Sequence, residues 1–199
     1  MHMRAVTAGI GVVAWLGLVV AVPAAAQGPV PDTGMTAVGF TAGMSMPHDD
    51  ALDSGLDVGV QLERYVTPRT SVRAKVSGAW FDIEGRPFPG TMHPIAVEGN
   101  LVHNWERGAW HPFVTGGVGW YRYEFDEGED PGDDDDAEFE SDDNKFGVNV
   151  GGGIEYFLSR EAAVLGEFNL RMVPGRVDSL LSDYEPGYWS LLLGYKRYF

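Results

Sequence analysis

Apolar and polar residues alternate with a period of two along most of the chain, and the alternation falls into eight segments. The cleanest is 54–65, where Leu56, Val58, Val60 and Leu62 share one face and Asp57, Gly59, Gln61 and Glu63 the other. In 70–82, Val72, Ala74 and Val76 oppose Ser71, Arg73, Lys75 and Ser77. Segment 35–46 sets Val38, Phe40, Ala42 and Met44 against Gly39, Thr41, Gly43 and Ser45. The remaining predicted strands cover about 92–105, 110–125, 145–158, 162–173 and 187–199. Each is long enough to cross a bilayer when tilted, for which about 9–11 residues suffice. The connections after the second, fourth and sixth strands are short, whereas those after the first, third, fifth and seventh are mostly long. A soluble meander has no reason to alternate in this way, whereas a membrane barrel does.

The ends of the chain sharpen that picture. Arg4 precedes a continuous apolar run from Gly9 to Val22, and the small residues Ala24, Ala25 and Ala26 follow. This is the three-part pattern of a secretory leader at 1–26, cleaved after Ala26. Its apolar run falls short of the roughly 20 residues of a helical span. Residues 27–199 then read as one domain, with no cysteine for lipidation or disulfides. In the last segment Trp189, Leu191, Leu193, Tyr195 and the terminal Phe199 share one face, interrupted by Arg197. A chain ending on an aromatic of its apolar face resembles the closing strand of bacterial outer-membrane β-barrels. Segment 110–125 is also similar to a stretch of the OmpA-like, porin-family small barrels. The resemblance implies an all-β fold, an eight-stranded antiparallel up-and-down transmembrane barrel in the outer membrane. It further implies contact with outer-membrane lipid and lipopolysaccharide, recognition of the strand ending in Phe199 by the barrel assembly machinery, and a role in envelope integrity, adhesion or limited solute passage.

With the apolar faces toward lipid, the other faces carry Asp57, Glu63, Glu98, Glu124, Glu155 and Glu167 together with Arg73, Lys75, Arg122, Arg171 and Lys196. The interior of an eight-stranded barrel is only wide enough for side chains. Such charges must pair with one another, which predicts a polar plug in place of an open pore. Gly59, Gly151 and Gly153 on these faces are expected to make room for the long charged side chains.

Charge adds one outlier. The formal net charge is −15, and most of it lies in 126–143, where 12 of 18 residues are acidic. This density cannot form a core and reads as a solvated external loop that would repel nucleic acid. Its carboxylates, with Asp133, Asp134, Asp135, Asp136 and Glu138 at the centre, are weak candidates for divalent cations. The spacing matches neither an EF-hand loop nor a glycine-rich repeat.

No cofactor or catalytic constellation is expected. The lipid A deacylase family uses His-x-Ser, but here the second residue after each His is Arg4, Asp50, Ile95, Trp105 or Phe113. Barrel proteases and phospholipases have more strands than 173 residues can supply. His48 beside Asp49 and Asp50 imitates the dispersed residues of a palmitoyltransferase, which keeps a lipid-modifying enzyme as a rival reading. His103 and His111 read as residues of the periplasmic interface. A second rival is a soluble, secreted, lipocalin-like barrel with the faces reversed and an apolar ligand inside.

Overall fold

A computed structural model of the chain describes residues 31–49, 52–83, 90–105, 108–127, 141–178 and 183–199. The predicted leader at 1–26 lies outside them. The strands are β1 (Thr36–Pro47), β2 (Gly55–Thr67), β3 (Thr70–Ala79), β4 (Phe81–Ile83), β5 (Gly90–Asn104), β6 (Trp110–Glu127), β7 (Ser141–Phe157), β8 (Ala162–Met172), β9 (Val177–Asp178), β10 (Asp183–Tyr184) and β11 (Tyr188–Tyr198).

Each long strand pairs antiparallel with its neighbours in sequence, β3 pairs β5, and β11 pairs both β8 and β1. The sheet therefore closes on itself as an eight-stranded antiparallel barrel, with β4 continuing β3 beyond a break at Trp80. At the closure the Phe199 amide donates to Thr36 O at 2.8 Å, and the Thr36 amide donates back at 3.1 Å. Closure leaves no free edge along the length over which all eight strands are paired, which a lipid environment demands. The paired β9 and β10 form a separate ribbon within the connection that precedes β11, in a stretch the alternation marks only as a loop. β6 and β7 run on together from Phe125↔Ser141, so their hairpin extends into the segment read as the acidic loop.

Side-chain parity decides what faces outward. Phe40, Leu56, Val60, Leu101, Val118 and Leu193 are each more than half exposed on the outer face. A band of this kind far exceeds the few hundred Å² of apolar patch that a soluble monomer shows, so it belongs in lipid. Aromatic residues border it. Near the short turns, Trp110 packs at a tilt on Tyr156 at 4.5 Å and His103 meets Trp105 edge-on at 4.9 Å. Near the long connections, Trp80 meets His93 edge-on at 6.2 Å. The reversed, lipocalin-like arrangement is excluded, because Arg73, Lys75 and Glu167 point inward and the valines and leucines point out.

Local chemistry makes the turns. Thr67 Oγ1 accepts the amide of Thr70 at 2.9 Å, which folds the chain over Pro68 between β2 and β3. Gly108 sits at φ +69° between β5 and β6, a conformation that other residues rarely adopt. Arg197 lies on the outer face with its guanidinium 5.7 Å from the Phe199 ring and 3.6 Å from Glu161, at the turn end of the barrel.

Val60 lies midway along β2 on the outer face. Val60→Arg is expected to cost about 2–4 kcal/mol, the usual effect of a cation at the bilayer midplane. Urea unfolding in lipid vesicles measures it, and a change below about 0.5 kcal/mol, typical of a water-facing site, would contradict the lipid assignment.

Candidate functional site

The inward faces of eight strands converge on the lumen, and the chain fills it in layers. At the turn end Ala37, Tyr65, Phe157, Ala163 and Tyr198 form an apolar cluster, with Met35 packed against it. At the opposite end Phe81, Met92, Tyr121, Tyr123, Phe125 and Tyr188 dominate a larger one. Two buried charge clusters lie between them.

The first joins β2, β3, β7, β8 and β11. Glu63 accepts Arg73 Nε at 3.1 Å and Lys196 Nζ at 2.6 Å, and it also accepts the Ser71 hydroxyl. Arg73 Nη1 reaches across the lumen to Glu167 at 2.7 Å, and Lys75 donates to the same carboxylate at 3.3 Å. Lys196 also bonds Glu155, whose other oxygen accepts the Tyr198 hydroxyl at 2.7 Å. Three carboxylates face three cations, so the cluster is neutral. Phe113 lies beneath it, with Arg73 5.3 Å and Lys196 5.8 Å from its ring centroid.

The second cluster is centred on Arg171. Its Nε donates to Glu98 at 2.9 Å, and its Nη1 donates to Asp57 at 3.2 Å and to Ser190 Oγ at 2.7 Å. Nη2 reaches Ser77 Oγ at 3.3 Å, and the guanidinium lies 4.7 Å over the Tyr188 ring. Asp57 also accepts the hydroxyls of Ser45 at 2.9 Å and Ser190 at 2.8 Å, while Glu98 accepts Tyr121 at 3.0 Å. One guanidinium thus serves two carboxylates, and hydroxyls from β1, β6 and β11 bond the same two oxygens, leaving Asp57 Oδ1 and Glu98 Oε2 buried without a protein partner. On β2, Gln61 lies between Glu63 and Asp57 with neither side-chain polar atom bonded to protein. Thr41, Thr115 and Asn149 likewise have buried, unbonded polar atoms, a setting suited to enclosed water.

Nine of the eleven charged residues expected on the inward faces are brought together there: Asp57, Glu63, Arg73, Lys75, Glu98, Glu155, Glu167, Arg171 and Lys196. Arg122 and Glu124 are not. They lie on the outer face, each about a third exposed, and bond one another at 3.1 Å near the long connections. The inward residues of β6 include His111, Phe113, Thr115, Tyr121, Tyr123 and Phe125. Aromatic and glycine residues occupy both faces of this strand, which blurs its alternation, and the aromatic packing of the lumen settles the parity. His111 is corrected for the same reason. It is buried inside against Phe157 at 4.6 Å, whereas His103 lies outward against Trp105 as expected.

The inner-face glycines also serve a different purpose from the one expected. A Cβ on Gly153 would fall 2.7 Å from Phe113 Cζ, and one on Gly151 2.5 Å from the Phe168 carbonyl oxygen. The room is taken by neighbouring backbone and by the ring that carries the cations. His48 is exposed, and its amide donates to Gly187 O at 2.9 Å, while Asp49 Oδ2 accepts the Glu185 amide at 3.0 Å. These bonds tie the first long connection to the last. Asp50 lies outside the described residues, as do Asp133, Asp134, Asp135, Asp136 and Glu138. Among the described residues no three His, Cys, Asp or Glu side chains are grouped to hold a metal.

Comparisons with known proteins agree with this geometry. A family model described as outer membrane protein beta-barrel domain matches residues 12–196. No curated protein matches. Among solved structures, the outer membrane protein OprG of Pseudomonas aeruginosa superposes with a TM-score of 0.64 at 14% identity, over 87% of this chain and 98% of that one. Neisserial surface protein A gives 0.60 at 11% identity, over 83% and 99%. Ail, the attachment invasion locus protein of Yersinia pestis, gives 0.54 at 12% identity, over 83% and 99%. At these identities the likeness is one of fold.

Arg171→Met leaves Asp57 and Glu98 buried without a counter-charge and is expected to lower stability by about 3–5 kcal/mol. Arg122→Met, on the outer face, should change it by no more than about 1 kcal/mol. Unfolding titrations of both variants in vesicles test the two placements, and equal losses would contradict them.

Proposed function

This chain belongs to the outer membrane protein beta-barrel family, and we propose that in the outer membrane it works as a closed, structural barrel that presents acidic connections to the outside. The observation that carries this reading is the filled lumen. An ion crossing it would have to displace two aromatic layers and pass two clusters whose charges already bond one another. Moving a bare charge past such paired groups is costly, and breaking the pairs to admit it is costlier. The buried, unbonded amide of Gln61 supports the same reading, since aromatic side chains pack in the lumen above and below it.

The long connections lie at the end opposite the termini, and in barrels of this kind that end faces outward. The acidic segment 126–143 would give that surface a strong negative field, favouring cationic partners and divalent ions and repelling polyanions. The lipid-facing band fits outer-membrane lipid and lipopolysaccharide as surroundings. The closing strand, with its terminal aromatic on the lipid face, fits recognition by the assembly machinery. The packed lumen supports a structural and surface role, in envelope integrity or adhesion, over solute passage.

Purified protein should migrate differently on a denaturing gel before and after boiling, which establishes the folded barrel. The same preparation in a planar bilayer is expected to pass no discrete current. Single-channel steps from protein that keeps the mobility shift would overturn the closed-barrel reading in favour of solute passage.

A further inference from the structure

The barrel wall is uneven at its outer end. β7 pairs with β6 as far as Ser141, but with β8 only from the Val148↔Met172 pair downward. Beyond Met172 the chain leaves the sheet through Pro174 and Gly175, the latter at φ +94°, and returns at Gly187 to start β11. Segment 141–146 of β7 is therefore a sheet edge. Among the described residues no strand pairs with its β8-facing side, since β9 and β10 pair with each other. A notch of about 700 Å³ opens beside it, from Phe146 and Val148 to Met172 and Pro174, where a longer β8 would have run.

This edge stands in water. On the outer face of β6, Arg122 and Glu124 follow Trp120 outward, and on β7 the exposed Asn144 lies outward of Phe146, which is paired with Trp120. The change to polar outer-face residues ends the hydrocarbon band at that pair. In an antiparallel strand alternate residues turn their N–H and C=O away from the bonded neighbour, so 141–146 presents a row of these groups to the open side. A row of this kind is a template for one more strand.

Charge selects which strand. Lys145 bonds Asp143 at 2.9 Å and Arg122 bonds Glu124 at 3.1 Å, so the cations on this part of the hairpin are matched. Arg176, on the far wall of the notch, is already engaged. The sequence from 126 to 143 holds 12 acids and no Lys or Arg, which leaves a large negative excess next to the edge. A second copy of this chain would set the same charges edge to edge, and a polyanion would meet the same repulsion. We infer that the 141–146 edge takes up an extended cationic polypeptide segment as an added β-strand. Backbone hydrogen bonds hold it, and Lys or Arg at alternate positions set the preference. The inference deepens the adhesive reading above and rests on its outward placement of the acidic end.

With no cysteine in the chain, single labels test it directly. One fluorophore goes on Asn144→Cys, at the edge. The control goes on Ser54→Cys, exposed just before β2 at the same end of the barrel and four strands away in either direction. Both proteins, in zwitterionic detergent, are titrated with a nitroxide-tagged eight-residue peptide of alternating Lys and Thr. Quenching at Asn144→Cys should saturate and exceed that at Ser54→Cys several-fold. The excess should vanish when every peptide amide is N-methylated, which keeps the charge but removes the donors, and when Glu replaces Lys. Equal quenching at the two positions, or an excess that survives N-methylation, overturns strand addition. An equal excess with the Glu peptide overturns the charge selection, and a doubled mass of the unheated protein without peptide gives the edge to a second copy instead. Each variant must keep its boiled-versus-unboiled mobility shift, which separates loss of the edge from loss of the barrel. On intact cells a membrane-impermeant maleimide should label Asn144→Cys. Failure to label would overturn the outward placement, and an external partner with it, whatever the purified protein binds.

Discussion

A closed sheet of eight strands leaves a lumen about one side chain wide, and everything else in this protein depends on how that space is filled. The outer face has to be apolar because lipid surrounds it, and the period-two geometry of a strand then sends the alternate residues inward. Here the inward residues include five carboxylates and four cations. No water-filled pore is wide enough to solvate them, so each must find its partner across the barrel. Arg73 on β3 meets Glu167 on β8, and Arg171 on β8 meets Glu98 on β5 and Asp57 on β2. Those bonds link strands far apart in the sequence and fix the shear of the barrel as well as its charge balance.

Buried ion pairs of this kind stabilise less than their short distances suggest, because desolvation offsets most of the attraction. Their stronger effect is on alternatives. A one-residue slip of any strand would send its charges into lipid and its valines into a charged lumen, so the native register is separated from its neighbours by a wide gap. The aromatic layers at each end complete the arrangement. They cap the clusters, and through Tyr121, Tyr188 and Tyr198 they supply hydroxyls or ring faces to the charges between them.

The outer rim follows different rules. There the wall is irregular, β8 ends early, and the connections are tied to one another by the His48 amide on Gly187 O and the Glu185 amide on the Asp49 carboxylate. At headgroup height the requirement for a fully paired backbone relaxes, and that is where a notch with mixed polarity can form.

Much of this was legible in the chain itself. Strand number, antiparallel order, the lipid-facing residues and all nine interior charges follow from alternation, because a residue's side of a strand is set by its parity alone. Arg122, Glu124 and His111 escaped that logic because β6 carries aromatics and glycines on both faces, and only packing against the lumen chose which face turned inward. The pairing of Arg171 with Glu98 and Asp57, the approach of Arg73 and Lys196 to the Phe113 ring and the notch beside Met172 could not be read from the sequence. They depend on which strands become neighbours across a closed barrel and on where each ladder stops. Periodicity along one strand carries no information about distances across the lumen, and those distances are set by closure.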